Sequence, residues 1–283
     1  MPIFLTLAGG VLACVVYGVF EARLHSIRNY EVPVLHADAK PIRILQVSDL
    51  HLRRSNRRLA AFLRSLHNVS YDLVFATGDL LGEAEALELC TELLGGLKAG
   101  RKYFVFGSSD YYTPRLRSYT DYFFKIRRPG AKRNPSDLFA KALISAGWTD
   151  LNNAGGLEDG VQIMGLDDPH LGRDDLSLLV RDPAAQLAIC VVHDPAPYLE
   201  ALSAGFDLVV AGHTHGGQVR FPLIGAVVTN STLPTRYARG LHRIKRGWLF
   251  VSPGLGTSKF APFRFLCRPE ASILTLVPRP AAD

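Results

Sequence analysis

The sequence predicts an α/β protein built on two sheets, and three observations carry that expectation. Over residues 42–106, short apolar runs of strand character alternate with stretches of helical spacing, the pattern of parallel strands joined by helices. Each of those runs ends in polar residues, at Ser48-Asp49-Leu50-His51, Gly78-Asp79 and Gly107-Ser108-Ser109-Asp110, which is where open α/β sheets build their sites. Beyond residue 161 the strand-like runs follow one another with few helices between them, which implies a second sheet of largely antiparallel or mixed character.

With 283 residues, 48% hydrophobic and 20% charged, the chain can bury one large core, and disorder is excluded. A formal charge of +6 favours anionic partners, whether phosphorylated substrates, acidic lipid surfaces or nucleic acid. Cys14, Cys90, Cys190 and Cys267 are widely spaced in apolar surroundings. That pattern is neither a disulfide framework nor a Cys-x-x-Cys metal site, so reduced core thiols are expected, which favours a cytoplasmic environment.

Residues 2–20 carry no charge and match the roughly 20 residues with which a helix crosses a bilayer. No basic residue precedes them, unlike a secretory signal. Cys14 sits like a lipoprotein cleavage site, but the apolar run continues past it. Arg23 and Arg28 follow the segment, so the positive-inside tendency places the rest of the chain in the cytoplasm. The expectation is an N-terminal hydrophobic helix over 1–28 as a single membrane span; the alternative is a helix packed on the domain or lying at its interface. Residues 29–41, polar and with Pro33 and Pro41, read as a connector, and the main domain is expected over 41–283.

Within that domain, 42–47 is a strand, and 56–68 has apolar residues at 59, 62, 63 and 66, a helix with Asn56 as its N-cap. Strands at 72–77 and 102–106 flank a helix at 83–97, stopped by Gly95-Gly96. Residues 111–134 break the rhythm: Arg115, Arg117, Arg127, Arg128 and further cations alternate with Tyr and Phe residues. Such an insertion beside a site strand suits a lid over an anionic substrate, with Arg115 and Arg117 as substrate ligands, or a foot on a membrane surface. A solvated surface loop is the plainer alternative. Helix returns at 135–147. Strands are expected at 161–166, 187–192, 208–211, 248–252 and 272–277, with one helix near 197–204.

The chemistry concentrates at Gly212-His213-Thr214-His215-Gly216-Gly217-Gln218, where two imidazoles one residue apart are fenced by glycines. Side chains alternate faces in extended chain, so His213 and His215 are expected to reach one volume from an extended backbone. Other strand ends add Asp49 and His51, Asp79, and His193 from Val191-Val192-His193-Asp194-Pro195. Six imidazole or carboxylate ligands suit Mn, Fe or Zn; Mg and Ca prefer oxygen alone. A single zinc is satisfied by four ligands or fewer, so six with a carboxylate able to bridge point to two divalent ions.

The ordered blocks Asp-x-His, Gly-Asp, His and Gly-His-x-His resemble the calcineurin-like metallophosphoesterase superfamily, over nearly all of residues 42–277. Within it the chain looks most like the branch with an N-terminal hydrophobic segment and a Gly165-Leu166-Asp167-Asp168-Pro169-His170 block. That resemblance implies a sandwich of two mixed β-sheets flanked by helices. It also implies that Asp49, His51 and His215 hold one ion, that His193 and His213 hold the other, and that Asp79 bridges them.

One block departs from the family. Its Gly-Asn-His-Asp is Gly107-Ser108-Ser109-Asp110 here, so Ser108 replaces the Asn ligand of the second ion and Ser109 the His that assists the leaving group. A hydroxyl is a weak ligand and no acid near neutral pH, so the second ion should be held less tightly. Loss of general acid help slows an enzyme by about 10²- to 10⁴-fold and leaves good leaving groups least affected. His170 either replaces that acid or is a loop histidine bonded to Asp167 or Asp168; Asp194 should orient an imidazole. The reading is a membrane-associated two-metal hydrolase of a phosphodiester, pyrophosphate or phosphomonoester bond. Asp79, Ser109, Asp110 and His170 serve its catalysis, and the substrate is a phosphorylated small molecule or lipid. The alternative is a metal-binding regulatory or scaffold protein with weak or no turnover. A nuclease is supported only by the basic insertion, so nucleic acid is not the expected partner.

Overall fold

The computed structural model describes residues 2–113 and 132–280. Two six-stranded sheets face each other, and both are mixed. The first runs β1(Ser26–Leu35), β14(Glu270–Pro278), β2(Ile42–Val47), β3(Ser70–Thr77), β4(Lys98–Val105) and β5(Thr149–Asp150) from edge to edge. Strands β2 to β5 are parallel, and β14 lies antiparallel to β2 but parallel to β1. The second sheet runs β12(Gly240–Ile244), β13(Gly247–Val251), β9(Leu208–Ala211), β8(Leu187–Val191), β7(Val161–Gly165) and β6(Ala154–Glu158). Its four central strands are parallel and each edge is antiparallel. A separate hairpin, β10(Arg220–Phe221) with β11(Gly225–Ala226), stands outside both.

The layers follow from which faces are apolar. Ile44, Leu73, Phe75 and Val105 of the first sheet meet Ile189, Val191, Val210 and Phe250 of the second in a buried interior. Because both faces of the central strands of the second sheet are covered, β8 and β9 read as continuous apolar runs. On the far side of the first sheet, α2(Arg57–Ser65), α3(Leu87–Gly95) and α5(Ser136–Ser145) bury Leu59, Leu63, Leu93, Leu94, Phe139 and Leu143. The short turn α4(Ser108–Tyr111) precedes α5, and α6(Tyr198–Ser203) covers the second sheet with Tyr198 and Ala201. The expected sandwich flanked by helices is the observed one.

Three local expectations change. Residues 26–35, expected partly as connector, form β1 and pair in register with β14, so the first sheet begins well before residue 41. Pro33 is tolerated there because β1 is an edge strand, whose outer N–H groups have no ladder to complete. Asn56 stands at the N-cap of α2 without a capping bond from its side chain, because its Oδ1 accepts from Arg53 Nε at 3.1 Å. Cys90, Cys190 and Cys267 are buried thiols as expected, whereas Cys14 is exposed.

The N-terminal helix α1(Pro2–Glu21) carries no charge before its last residue. Among the described residues, no helix is long and apolar enough to cross a membrane. Among the described residues, the contacts of α1 with the domain lie in its last turns. Gly18 O accepts from Arg264 N at 2.9 Å, the buried Glu21 carboxylate accepts from Leu266 N at 2.7 Å, and Tyr17 packs edge-on against Phe265. Deleting residues 2–12 should therefore leave the melting temperature unchanged. Deleting 2–28 removes both bonds and the first residues of β1, and should lower it; equal melting of the two truncations would show that the docked turns contribute nothing.

Candidate metal centre

Five strand ends meet at the same end of the sandwich. Asp49 and His51 follow β2, Asp79 follows β3, α4 follows β4, His193 follows β8, and His213 and His215 follow β9. The loops are tied across the two sheets: Gln46 Nε2 donates to Thr77 Oγ1 and to Ala211 O, and His213 N donates to both oxygens of Asp49 at 3.1 Å. The backbone is strained where the ligands sit. Asp49, His51, Asp79, His213 and His215 have φ of 50°, 39°, 51°, 68° and 50°, in the left-handed region that side chains other than glycine seldom occupy. This corrects the expected extended geometry at His213 and His215. They converge because both are left-handed in a turn closed by Gly217 N donating to Thr214 O, which aims the two imidazoles inward.

The side chains form two nests. In the first, His51 Nε2 and His215 Nε2 face each other at 3.1 Å, with Asp79 Oδ2 3.4 Å from the former and Asp49 Oδ1 3.7 Å from the latter. In the second, His193 Nε2 and His213 Nδ1 face each other at 3.1 Å, with Asp79 Oδ1 3.6 Å from His193. Asp79 thus gives one oxygen to each. The outward nitrogens are already engaged: His51 Nδ1 with Ser109 Oγ at 3.3 Å, His193 Nδ1 with Thr77 O at 2.8 Å, and His213 Nε2 with Asn230 O at 3.3 Å. Bonds of this kind fix the tautomer and leave the inward lone pairs for a cation.

The donor chemistry fits divalent metals. Pairs of imidazole nitrogens point at each other and at carboxylates in a volume from which water is largely excluded, an arrangement that a shared cation satisfies. Gly107 supplies independent support, since a methyl group there would lie 2.5 Å from Asp79 Oδ1 and 2.6 Å from His193 Nε2, filling the second nest. Burial would raise Asp79 and lower His193. The mutual fields of these groups outweigh it, holding Asp79 well below the usual carboxylate range and raising His193 to about 10, with help from Asp49 and Asp168. Burial lowers His51 and His215. Without metal at neutral pH, the proton on His193 neutralises the carboxylates. Metal must displace that proton, so affinity should rise with pH until about 10. Titration calorimetry in buffers of different ionisation heat should show proton release on metal binding; a buffer-independent heat would contradict it.

The family model described as calcineurin-like phosphoesterase matches residues 42–217, the span that carries every one of these ligands. The chain belongs to that family. It is 27% identical to the uncharacterized metallophosphoesterase YkuE of Bacillus subtilis (strain 168), over 91% of this chain and 86% of that one. It is 26% identical to a zebrafish (Danio rerio) protein named transmembrane protein with metallophosphoesterase domain, over 92% of this chain and 60% of the relative. To phosphodiesterase YaeI of Escherichia coli (strain K12) it is 33% identical over 89 residues, 31% of this chain and 32% of the relative. The protein is a metal-dependent phosphoesterase.

The altered block of this phosphoesterase acquires a structural account. Ser108 is half-exposed at the start of α4. Ser109 N donates to Asp79 Oδ1 at 2.7 Å while its hydroxyl meets His51, so Ser109 positions ligands of both nests. Asp110 is fully buried and accepts from Leu80 N, Leu81 N and Gly107 N, each at 2.9 Å. That makes it a tie between two ligand loops, and burial pushes its carboxyl up to about 7. His170 stands at the rim of the second nest, its ring 5.1 Å from that of His213 and its Nδ1 4.0 Å from Asp194 Oδ2. Its backbone N–H donates to Asp168 Oδ1 at 2.9 Å, closing a turn, and the imidazole faces Asp194 instead of the Asp167 or Asp168 named from the sequence. Asp194 orients His213 rather than its neighbour His193, lying 3.6 Å from His213 Nε2. Arg115 and Arg117 lie outside the described residues.

Two residues at the phosphoesterase centre had no place in the metal site as read from the sequence. Arg264 is wholly buried; its guanidinium donates to Gly254 O at 3.2 Å and Gly256 O at 2.7 Å and lies 3.3 Å from His215 Nδ1. It sits in a Phe-Arg-Phe run with no spacing signal, so only the fold brings it beneath His215. Asp168 is also wholly buried, in the field of His193 and His213, with one oxygen accepting from His170 N and the other without a partner. Its place in the Asp167-Asp168 pair after β7 was the available signal.

Proposed function

We propose that this phosphoesterase holds two divalent ions, Mn, Fe or Zn, and hydrolyses a phosphodiester or pyrophosphate bond, or a phosphomonoester, of a lipid-linked substrate at a membrane. The observation that carries the two-ion reading is Asp79, whose oxygens address separate nests 3.4 and 3.6 Å away. Asp49, His51 and His215 complete the first ion's set, His193 and His213 the second's, with Ser108 as a weak neighbour of the second. A metal pair supplies an activated water and neutralises charge developing on the phosphoryl oxygens. The protein's own groups hold the ligand tautomers, through Thr77 O, Asn230 O and Ser109 Oγ, and keep the centre largely dry. His170, at the rim, is the group best placed to give a proton to a leaving oxygen.

Support for the membrane comes from α1, from Arg23 and Arg28 after it, which favour a cytoplasmic domain, and from the zebrafish relative, named a transmembrane protein. The basic insertion supports a lipid-linked anion. It leaves and returns at one point beside Ser109: Tyr112 bridges Arg133, and Asn134 Nδ2 donates to Ser109 O at 2.7 Å. Arginines there would grip phosphate bidentately.

The test is a metal-replete assay on phosphomonoester, phosphodiester and pyrophosphate substrates, soluble and lipid-linked in vesicles. It is repeated with Arg115, Arg117, Arg127 and Arg128 changed to Ser. A loss confined to the lipid-linked substrate supports the reading; an equal loss on both, or none, returns the insertion to a surface loop. The second reading, a metal-binding regulator with little turnover, rests on Ser108 and Ser109. Full metal loading with no hydrolysis of any substrate would establish it.

A further inference from the structure

More than half of the large apolar side chains exposed among the described residues lie on three joined segments: α1 from Leu12 on, the β10–β11 hairpin with its flanks, and the loop at 257–268. Leu223 at the hairpin tip is fully exposed and Ile224 is 73% exposed, and Phe221, Val227, Phe260 and Leu266 add to the same surface. The segments are bonded to one another. Arg220 N donates to Phe265 O, Phe265 N to Gln218 O, Gln218 Nε2 to Ala261 O and Phe263 O, and Arg264 N to Gly18 O of α1. Leu223 holds φ at 67°, a conformation a branched apolar residue adopts only under constraint, and it turns the side chain away from the domain.

The charges match the apolar surface. On these segments Arg23, Lys259 and Arg268 are exposed and Arg220 is half-buried, while the one carboxylate, Glu21, is buried. An exposed apolar hairpin bonded to segments that carry exposed cations, and through them to an apolar helix, fits an anionic lipid bilayer. We infer that the β10–β11 hairpin is a second membrane contact, inserting Leu223 and Ile224 at the lipid surface beside α1. The inference rests on the membrane reading above and adds to it where the metal centre sits. Gly216, Gly217 and Gln218 are all that separates His215 from Val219, and a side chain at Gly217 would run into Ala226. A hairpin seated in lipid therefore presents the metal centre to phosphate at the headgroup level.

The test uses the full chain with Cys14→Ser, leaving only buried native thiols, and a polarity-sensitive fluorophore on Leu223→Cys. Val69→Cys is the control, because Val69 is exposed at the opposite end of β3 from Asp79. Vesicles of phosphatidylcholine with phosphatidylglycerol are floated, and quenching by nitroxide lipids and by aqueous iodide is read at both positions. The expected result is flotation, with lipid quenching at 223 several-fold greater than at 69 and iodide quenching correspondingly smaller. Flotation with equal iodide access at both positions overturns the hairpin contact and leaves the membrane reading standing. Absence of flotation overturns both. Shielding at 223 that is the same without vesicles shows a second copy of the chain on the hairpin, and also overturns the inference.

Discussion

Asp79→Asn is expected to lower turnover by about 10³-fold or more and to reduce the tightly held metal. A bound ion contributes several kcal/mol of charge stabilisation, and each 1.36 kcal/mol is a factor of about ten. The substitution leaves the shape unchanged but removes the charge that both nests share, and the amide can offer its one oxygen to only one of them. Ser109→Ala should do less, about 10- to 100-fold, because it removes a bond that orients His51 and leaves the ligand itself in place. Its backbone bond to Asp79 survives. Elemental analysis beside the rates checks the order: equal losses from the two substitutions would mean that the Ser109 hydroxyl acts on substrate directly.

Arg264→Met should destabilise the fold by about 3 kcal/mol or more. Its guanidinium serves two buried carbonyls, Gly254 O and Gly256 O, and lies beside His215. Leaving such acceptors unpaired costs about 1 to 3 kcal/mol each. Methionine fills much of the volume, so the loss reads the missing bonds rather than a cavity. Arg264→Lys keeps the charge without the planar fork and should recover only part. Urea midpoints measured without metal isolate this effect; a change under 1 kcal/mol would show the arginine to be dispensable to the fold.

The core strands were legible because both faces are covered: β8 and β9 are unbroken apolar runs, β3 and β13 hold the runs Leu73–Ala76 and Trp248–Val251, β2 is interrupted only by Arg43 and Gln46, and a run of that kind has few other places to go. The edges were not. β1 is polar in its first half and contains Pro33, with Val32, Val34 and Leu35 buried only toward its end, and β6 is exposed along its whole length with two glycines, so neither reads as a strand from an apolar run; each pairs with a neighbour that has an open ladder. The ligands were legible for a different reason. They follow strand ends at fixed chemical intervals, and a repeated Asp or His after a buried run has little packing purpose. What sequence could not carry was the direction each residue faces. Asp194 orients the imidazole across the nest, Asp110 ties loops together, and His213 and His215 converge through left-handed backbone, all of which depend on contacts between residues far apart in the chain.

The bridge between Tyr112 and Arg133 divides the enzyme in an unexpected place. Thr113 N donates to Lys132 O and Asn134 N to Tyr111 O, both at 2.9 Å, so the two ends of the insertion are stapled before the chain departs. Residues 114–131 could then be excised and the gap closed by a short turn, with Ser109 and Asp110 kept in register by the staple. The protein is in this sense a hydrolytic chassis with an exchangeable insertion, which could be replaced without asking the chassis to refold.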